Sequence, residues 1–235
     1  MLSRNQIKFI QSLKQKKFRL QYQLFVVEGE KLVNEFLNSD WEIEQIYATK
    51  EWEGESVEVT TKELERISSL KTPNKVLAIV KIPFEKSIIS ENLVLALDAV
   101  KDPGNLGTII RLADWFGVQH IICSEDCVEL YNPKVVQASM GSISRVQVQY
   151  VDLQSTLESM ADYQVYAAVM DGKSIFSIEK LEKIIILMGS ESHGVSQELL
   201  ELTHQKITIP KSEKSQAESL NVANACGIIL AQLFR

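Results

Sequence analysis

Between Arg4 and about Lys16 the apolar residues Ile7, Ile10 and Leu13 recur at helical spacing, with basic residues largely between them, which predicts an amphipathic first helix. Leu24 to Val27 reads as a strand, Glu30 to Leu37 as a helix and Ile43 to Ala48 as a second strand. Val57 to Val59 adds a short strand, Thr61 to Leu70 a helix opened by a threonine cap, and Val76 to Val80 another strand. Around Ile82-Pro83-Phe84-Glu85-Lys86-Ser87 the periodicity lapses, as in a linker. Residues 1–85 therefore read as one small α/β domain and residues 92–235 as another.

The second half opens with Leu93-Val94-Leu95-Ala96-Leu97, a continuous apolar run of the kind buried on both faces of a parallel sheet. Further strands are predicted at about His120 to Cys123, Arg145 to Val151, Gln164 to Val169, Ile184 to Met188 and Lys206 to Ile209. Helices fill the gaps near Gly107 to Phe116, Pro133 to Gly141, Leu153 to Met160, Gln197 to Leu202 and Leu220 to Phe234. Such alternation predicts a mostly parallel sheet with helices on both faces. Ligands of such sheets sit at the carboxyl ends of strands, which directs attention to the loops there.

Composition changes this picture little. With 45% hydrophobic and 24% charged residues in 235, the chain is an ordinary folding sequence. No apolar run approaches the roughly 18 residues of a membrane span, and Met1-Leu2-Ser3-Arg4-Asn5-Gln6 lacks the apolar core of a secretory signal, so a cytoplasmic protein is expected. Cys123 and Cys127 have no nearby histidine to complete a zinc set, and with Cys226 they are read as reduced structural thiols, with no metal. Charge distribution matters more. The net charge is −6, yet no acidic residue precedes Glu28, while Arg4, Lys8, Lys14, Lys16, Lys17 and Arg19 are all basic. That asymmetry fits either an RNA-contacting arm on an acidic enzyme or a solvated amphipathic helix.

Three loops hold the candidate chemistry. The first, Asp98 to Gly107, follows a buried strand and carries Asn105; Arg111 lies about one turn inside the next helix, on the side away from the apolar stripe of Ile109, Leu112, Ala113 and Phe116. A surface ion pair of Arg111 with Asp102 or Asp114 is the plainer alternative. The second, Met188-Gly189-Ser190-Glu191-Ser192-His193-Gly194, again follows an apolar strand; no dinucleotide fingerprint, phosphate loop or zinc motif can be made from it, and His193 reads as a structural hydrogen-bonder more readily than as a base. The third runs from Ile209-Pro210 through a charged stretch to Ser219-Leu220-Asn221, where Ser219 is a natural cap for the last helix, and Asn221 and Asn224 need partners in an otherwise apolar segment.

Together these loops resemble the three motifs of the SpoU (TrmH) branch of the SPOUT methyltransferases over about Leu93 to Arg235. Asn105-Leu106-Gly107 with Arg111 is similar to that family's N-x-G-x-x-x-R, Met188 to Gly194 to its glycine and glutamate loop, and Ile209-Pro210 with Ser219-Leu220-Asn221-Val222 to its final motif. One departure is Lys211 to Glu218, more charged and slightly longer than the family's usual glycine-containing loop. Phe25-Val26-Val27-Glu28-Gly29 and the helix after it resemble the small α/β RNA-binding domain often placed before such a catalytic domain.

The resemblance implies an RNA ribose 2′-O-methyltransferase that uses S-adenosylmethionine, with a deep C-terminal trefoil knot and a homodimer paired through the knotted domain. It implies catalytic roles for Arg111, Asn105, Glu191, Ser219 and Asn221, and cofactor contacts from Met188, Gly189, Ile209, Pro210 and Leu220. It also turns Arg4, Lys8, Lys14, Lys16, Lys17 and Arg19 into expected RNA contacts. The RNA is ribosomal or transfer RNA, with ribosomal RNA favoured by the appended first domain. The rival readings are an RNA-binding protein without catalysis and a base-methylating SPOUT enzyme.

Overall fold

The computed structural model describes residues 1–84, 89, 91–178 and 182–234. The first elements are α1 (Arg4–Ser12), α2 (Lys16–Tyr22), β1 (Leu24–Glu28), α3 (Glu30–Leu37), β2 (Ile43–Ala48), β3 (Val57–Glu58), α4 (Thr61–Ile67) and β4 (Val76–Lys81). Then come β5 (Leu93–Leu97), α5 (Pro103–Trp115), β6 (His120–Cys123), α6 (Pro133–Ser139), β7 (Gln147–Tyr150) and α7 (Leu153–Ser159). The chain closes with β8 (Gln164–Ser174), β9 (Ile184–Met188), α8 (Gln197–Glu201), β10 (Gln205–Thr208) and α9 (Val222–Leu233). Contacts divide it into two compact units, Met1–Lys86 with Glu129–Ser144, and Ser87–Val128 with Arg145–Arg235. Part of the expected linker, residues 85–87, lies outside the described residues, as does Arg235.

The first unit holds a four-stranded sheet in the order β1-β4-β2-β3, antiparallel except for the short parallel pairing of β2 with β3. Ile7, Ile10 and Leu13, the predicted stripe, are buried with Leu24, Val26, Leu64, Ile67, Leu77 and Ile79. A capping box starts α1: the Ser3 hydroxyl accepts from the Gln6 amide N–H at 3.2 Å, and the Gln6 side chain accepts from the Ser3 N–H at 2.8 Å. The helix stops at Ser12 rather than Lys16, and a second helix, absent from the sequence reading, runs over Lys16–Tyr22. Its lysine, arginine and glutamine residues favour helix without marking an apolar stripe, so periodicity alone passes over it. Similarly α4 ends at Ile67 instead of Leu70, because the buried Glu28 carboxylate takes the Ser68 hydroxyl and, at 2.8 Å, the Ser69 N–H, drawing the chain into an extended turn.

The segment Glu129–Ser144, from the second half of the sequence, completes this unit. Tyr131 meets Phe25 at 4.8 Å and Trp41 at 6.4 Å between ring centroids, and Trp41 donates its indole N–H to the Ser144 carbonyl at 3.2 Å. Arg19, expected to reach RNA, does not: it is 2% exposed, pairs with Glu129 and donates to the Leu13 carbonyl at 2.9 Å. Its charge is spent inside, because a buried guanidinium needs a partner and Glu129 supplies one.

The second unit is built on a six-stranded sheet in the order β10-β8-β9-β5-β6-β7, with every described pairing parallel. Val94, Ala96, Ile122, Val165, Ala167, Ile185 and Leu187 form its core with α7 and α8. Strand order reverses at β5, whose neighbours are β6 and β9, so the carboxyl ends of β5 and β9 flank the crevice where such sheets take ligands. Helix α5 begins four residues earlier than periodicity predicts, since Asp102 caps it and Pro103 occupies its first position. Strand β8 runs on to Ser174 past the expected end at Val169, because the register with β10 shifts between Lys206 and Ile207. Gly172 permits this; a Cβ there would lie 2.7 Å from the Lys206 carbonyl carbon.

Arg19→Ala leaves the half-buried Glu129 without its cation and empties a buried site, so unfolding in denaturant should show a loss of about 2 kcal/mol. The salt dependence of RNA binding should stay unchanged, which separates this interior role from that of an RNA contact.

Candidate active site

Helix α5 carries Asn105 in its first turn, where Asp102 Oδ1 accepts from the Asn105 backbone N–H at 2.9 Å. The loop after β9 is closed on itself, Ser190 and Gly194 exchanging backbone hydrogen bonds of 3.0 and 2.9 Å. Gly189 has no room for a side chain; a Cβ would stand 2.0 Å from the Gly194 carbonyl carbon. Asp98 ties this loop to the end of β5 by accepting from the Ser196 N–H at 2.8 Å.

Asn221, not Ser219, caps α9. Its Oδ1 accepts from the N–H groups of Ala223 at 3.0 Å and Asn224 at 3.2 Å. With the oxygen committed, its amide nitrogen faces the other loops, donating to Asn105 Oδ1 at 2.9 Å and Glu191 Oε1 at 2.7 Å. Asn105 donates to the same Glu191 oxygen at 2.7 Å. Three residues from three distant loops thus close a triangle of hydrogen bonds in which both amides can take only one orientation. Asn224, by contrast, is exposed and needs no buried partner.

Two cavities lie against this triangle. The larger, about 630 Å³, is lined by Met188, Gly189, Ile209, Pro210, Ser219 and Leu220 over an apolar floor that includes Val195, Ile207 and Ile229. The smaller, about 310 Å³, is lined by Asp98 to Asp102, Asn105, Asp126 and Ser190 to Gly194. Glu191 and His193 belong to both, so the 190–194 loop is a shared wall.

Arg111 lines neither cavity. It stands exposed on α5 with no ion-pair partner among the described residues. Neither plainer partner is free for it: Asp102 is the cap of α5, and Asp114 accepts from Arg145 at 2.9 and 3.0 Å. Sequence reasoning gave no role to Asp98, an acid at the end of an apolar strand, and read Cys127 as a structural thiol without placing it at this loop. The Cys127 thiol donates to the Leu97 carbonyl at 3.3 Å and accepts from the Val100 N–H at 3.2 Å, bracing the loop beneath the smaller cavity. Hydrogen bonding from the Cys123 thiol, with help from Ser124 and Val100, brings the Cys127 thiol down to about 7. The buried Cys123 is raised in turn, and burial pushes Cys226 up to about 12.

The model of the SpoU rRNA methylase family matches residues 92–231 of this chain. The chain belongs to that family. A second model, the MRM3-like substrate binding domain, matches residues 4–78 of this family member. Over 97% of the chain it is 31% identical to the 23S rRNA (guanosine(2553)-2′-O)-methyltransferase RlmP of Bacillus subtilis, covering 95% of that protein. A solved structure from Porphyromonas gingivalis, assigned to the TrmH family of RNA methyltransferases, superposes with a TM-score of 0.89 and 38% identity, over 99% of this chain and 98% of the other. The AdoMet-bound rRNA methyltransferase of Sinorhizobium meliloti superposes at 0.87 with 29% identity, over 99% and 96%.

Replacing Asn221 by alanine removes both the cap and the two cross-loop bonds, and thermal unfolding should register a loss of about 2 kcal/mol. Hydrogen exchange should accelerate in the 190–194 loop as well as at the start of α9.

Proposed function

We propose that this chain transfers a methyl group from S-adenosylmethionine to a ribose 2′-hydroxyl of structured RNA, ribosomal RNA before transfer RNA. The observation that carries the reading is the convergence of Asn105, Glu191 and Asn221 beside the larger cavity, in a member of a family of rRNA methylases. That cavity has the size and the apolar walls suited to a nucleoside. Met188, Gly189, Ile209, Pro210 and Leu220 would hold S-adenosylmethionine, which when bound supplies a sulfonium-activated methyl group. Names of relatives agree: one is a 23S rRNA 2′-O-methyltransferase and another was solved with AdoMet bound.

In-line displacement depends above all on alignment, so the chain's own groups act by positioning. Glu191, Asn105 and Asn221 keep the loops in register, and Ser219 borders the cavity beside them. Arg111, permanently charged, fixes the phosphate and ribose of the target nucleotide rather than taking its proton.

A second copy of the chain is part of this reading. Trp115 on α5 is 83% exposed, and Ile228 on α9 and Phe234 just after it are exposed as well, an apolar surface that pairing would cover. Arg111 lies one turn before Trp115 on the same helix face, so covering Trp115 carries Arg111 toward the other copy. The deep trefoil knot at the C-terminus and a cytoplasmic setting complete the proposal. Among the described residues no helix is long and apolar enough to cross a membrane.

The decisive assay supplies ribosomal RNA and methyl-labelled S-adenosylmethionine and identifies the product by nucleoside mass spectrometry. A 2′-O-methylnucleoside is expected; a base-methylated product or none overturns the reading. Arg111→Ala should retain fold and S-adenosylmethionine binding by calorimetry while losing about two orders of magnitude or more in turnover. Near-normal turnover would take Arg111 out of the reaction.

A further inference from the structure

The corner between α1 and α2 carries three aromatic rings that methyl transfer does not use. Phe9 and Tyr22 meet edge to face at 5.1 Å, Phe18 and Tyr22 lie nearly parallel with centroids 6.2 Å apart, and Lys17 Nζ sits 4.6 Å from the Phe18 centroid. In the other aromatic group of this unit Phe25 and Phe36 are fully buried, and Trp41 and Tyr131 are half-buried against them. This trio is at the surface: Tyr22 is 41% exposed, and Phe9 and Phe18 are half-buried.

The charges around it are equally lopsided. Arg4, Lys8, Lys16 and Lys17 are exposed, and among the described residues none has an acidic partner. Unpaired cations interleaved with open rings fit a single-stranded nucleic acid, whose bases stack on aromatic faces while phosphates follow the lysines. A protein partner fits less well, because lysine is depleted around the aromatic anchors of protein interfaces, whereas here Lys17 stands over one of the rings.

We propose that Phe9, Phe18 and Tyr22 form a stacking site for an unpaired base of the RNA, with Lys8, Lys16 and Lys17 holding the phosphates beside it. The proposal rests on the reading of RNA as substrate and names the groups of the first unit that grip it. It also accounts for α2. Where the sequence alone suggests one basic helix, a break at residues 13–15 and a second short helix bring Tyr22 against Phe9 and Phe18 alongside Tyr22.

The test uses the full chain and fluorescence anisotropy with labelled oligouridylate and with an RNA duplex of equal length. Tyr22→Ala should weaken oligouridylate binding about tenfold and leave duplex binding nearly unchanged, and Tyr22→Trp should restore it. Tyr22→Leu, which keeps apolar volume without a ring, should behave like the alanine variant and guards against a loss caused by misfolding. Lys17→Gln should lower the slope of log affinity against log salt by about 0.7, whereas Tyr22→Ala should leave the slope alone. Parental affinity in both Tyr22→Ala and Tyr22→Leu, equal losses on single strand and duplex, or no oligouridylate binding by the parent would each overturn the stacking site. Methyl transfer by the unaltered protein is measured alongside; its absence would overturn the catalytic reading and leave the stacking result to stand by itself.

Discussion

One oxygen, Glu191 Oε1, receives amide hydrogens from Asn105 and Asn221, and the geometry of the crevice depends on it. The donors lie 86 and 30 residues away in sequence, and the two amides, 116 apart, also bond to each other. A carboxylate suits this position because it only accepts, so two donors can converge on it without either having to turn. Charge-assisted bonds of this kind are shorter and stronger than neutral ones, which helps an exposed junction hold loops that carry little core of their own.

The constraint spreads outward through Asn221. Its oxygen is fixed by the first N–H groups of α9, and that fixation leaves its nitrogen pointing across the loops. Helix start and crevice wall are therefore one structural decision: α9 cannot shift without pulling on α5 and on the loop after β9. Gly189 works in the same direction from below, letting the closed 190–194 loop come down onto the end of β9. A loop wall shared by two cavities is in this way held at both ends, from Asp98 through Ser196 and from Asn221 through Glu191.

Much of the second unit was legible because its signals are local. Unbroken apolar runs such as Leu93 to Leu97 and Ile184 to Met188 are what strands buried on both faces need, and both are strands of the parallel sheet. The motif residues Asn105, Glu191 and Asn221 were found as members of loops, but the bonds joining them depend on strand order, which no local pattern encodes. Helix starts were displaced at two places: Asp102 with Pro103 opens α5 earlier than its apolar stripe begins, and Asn221 rather than the expected Ser219 caps α9. Arg19 was read as surface because flanking charge looks the same whether its partner is solvent or a carboxylate 110 residues away. Strand β8 runs past its expected end at Val169 because Gly172 permits close backbone approach to β10, a long-range requirement that no local apolar run signals.

The path of the chain through its two units bears on how such a protein can be assembled or inherited. Residues 129–144 leave the second unit's stretch of sequence to cover β1 with α6 and to bring Glu129 to Arg19 and Tyr131 to Phe25. A gene encoding residues 1–86 alone would lack that cover, and one encoding the remainder would carry an apolar flap with nothing to fold onto. The two halves are consequently poor candidates for exchange between proteins as free modules, and a change to the helix around Val135 is a change to the first unit even though it lies within the part of the chain that the methylase family model matches.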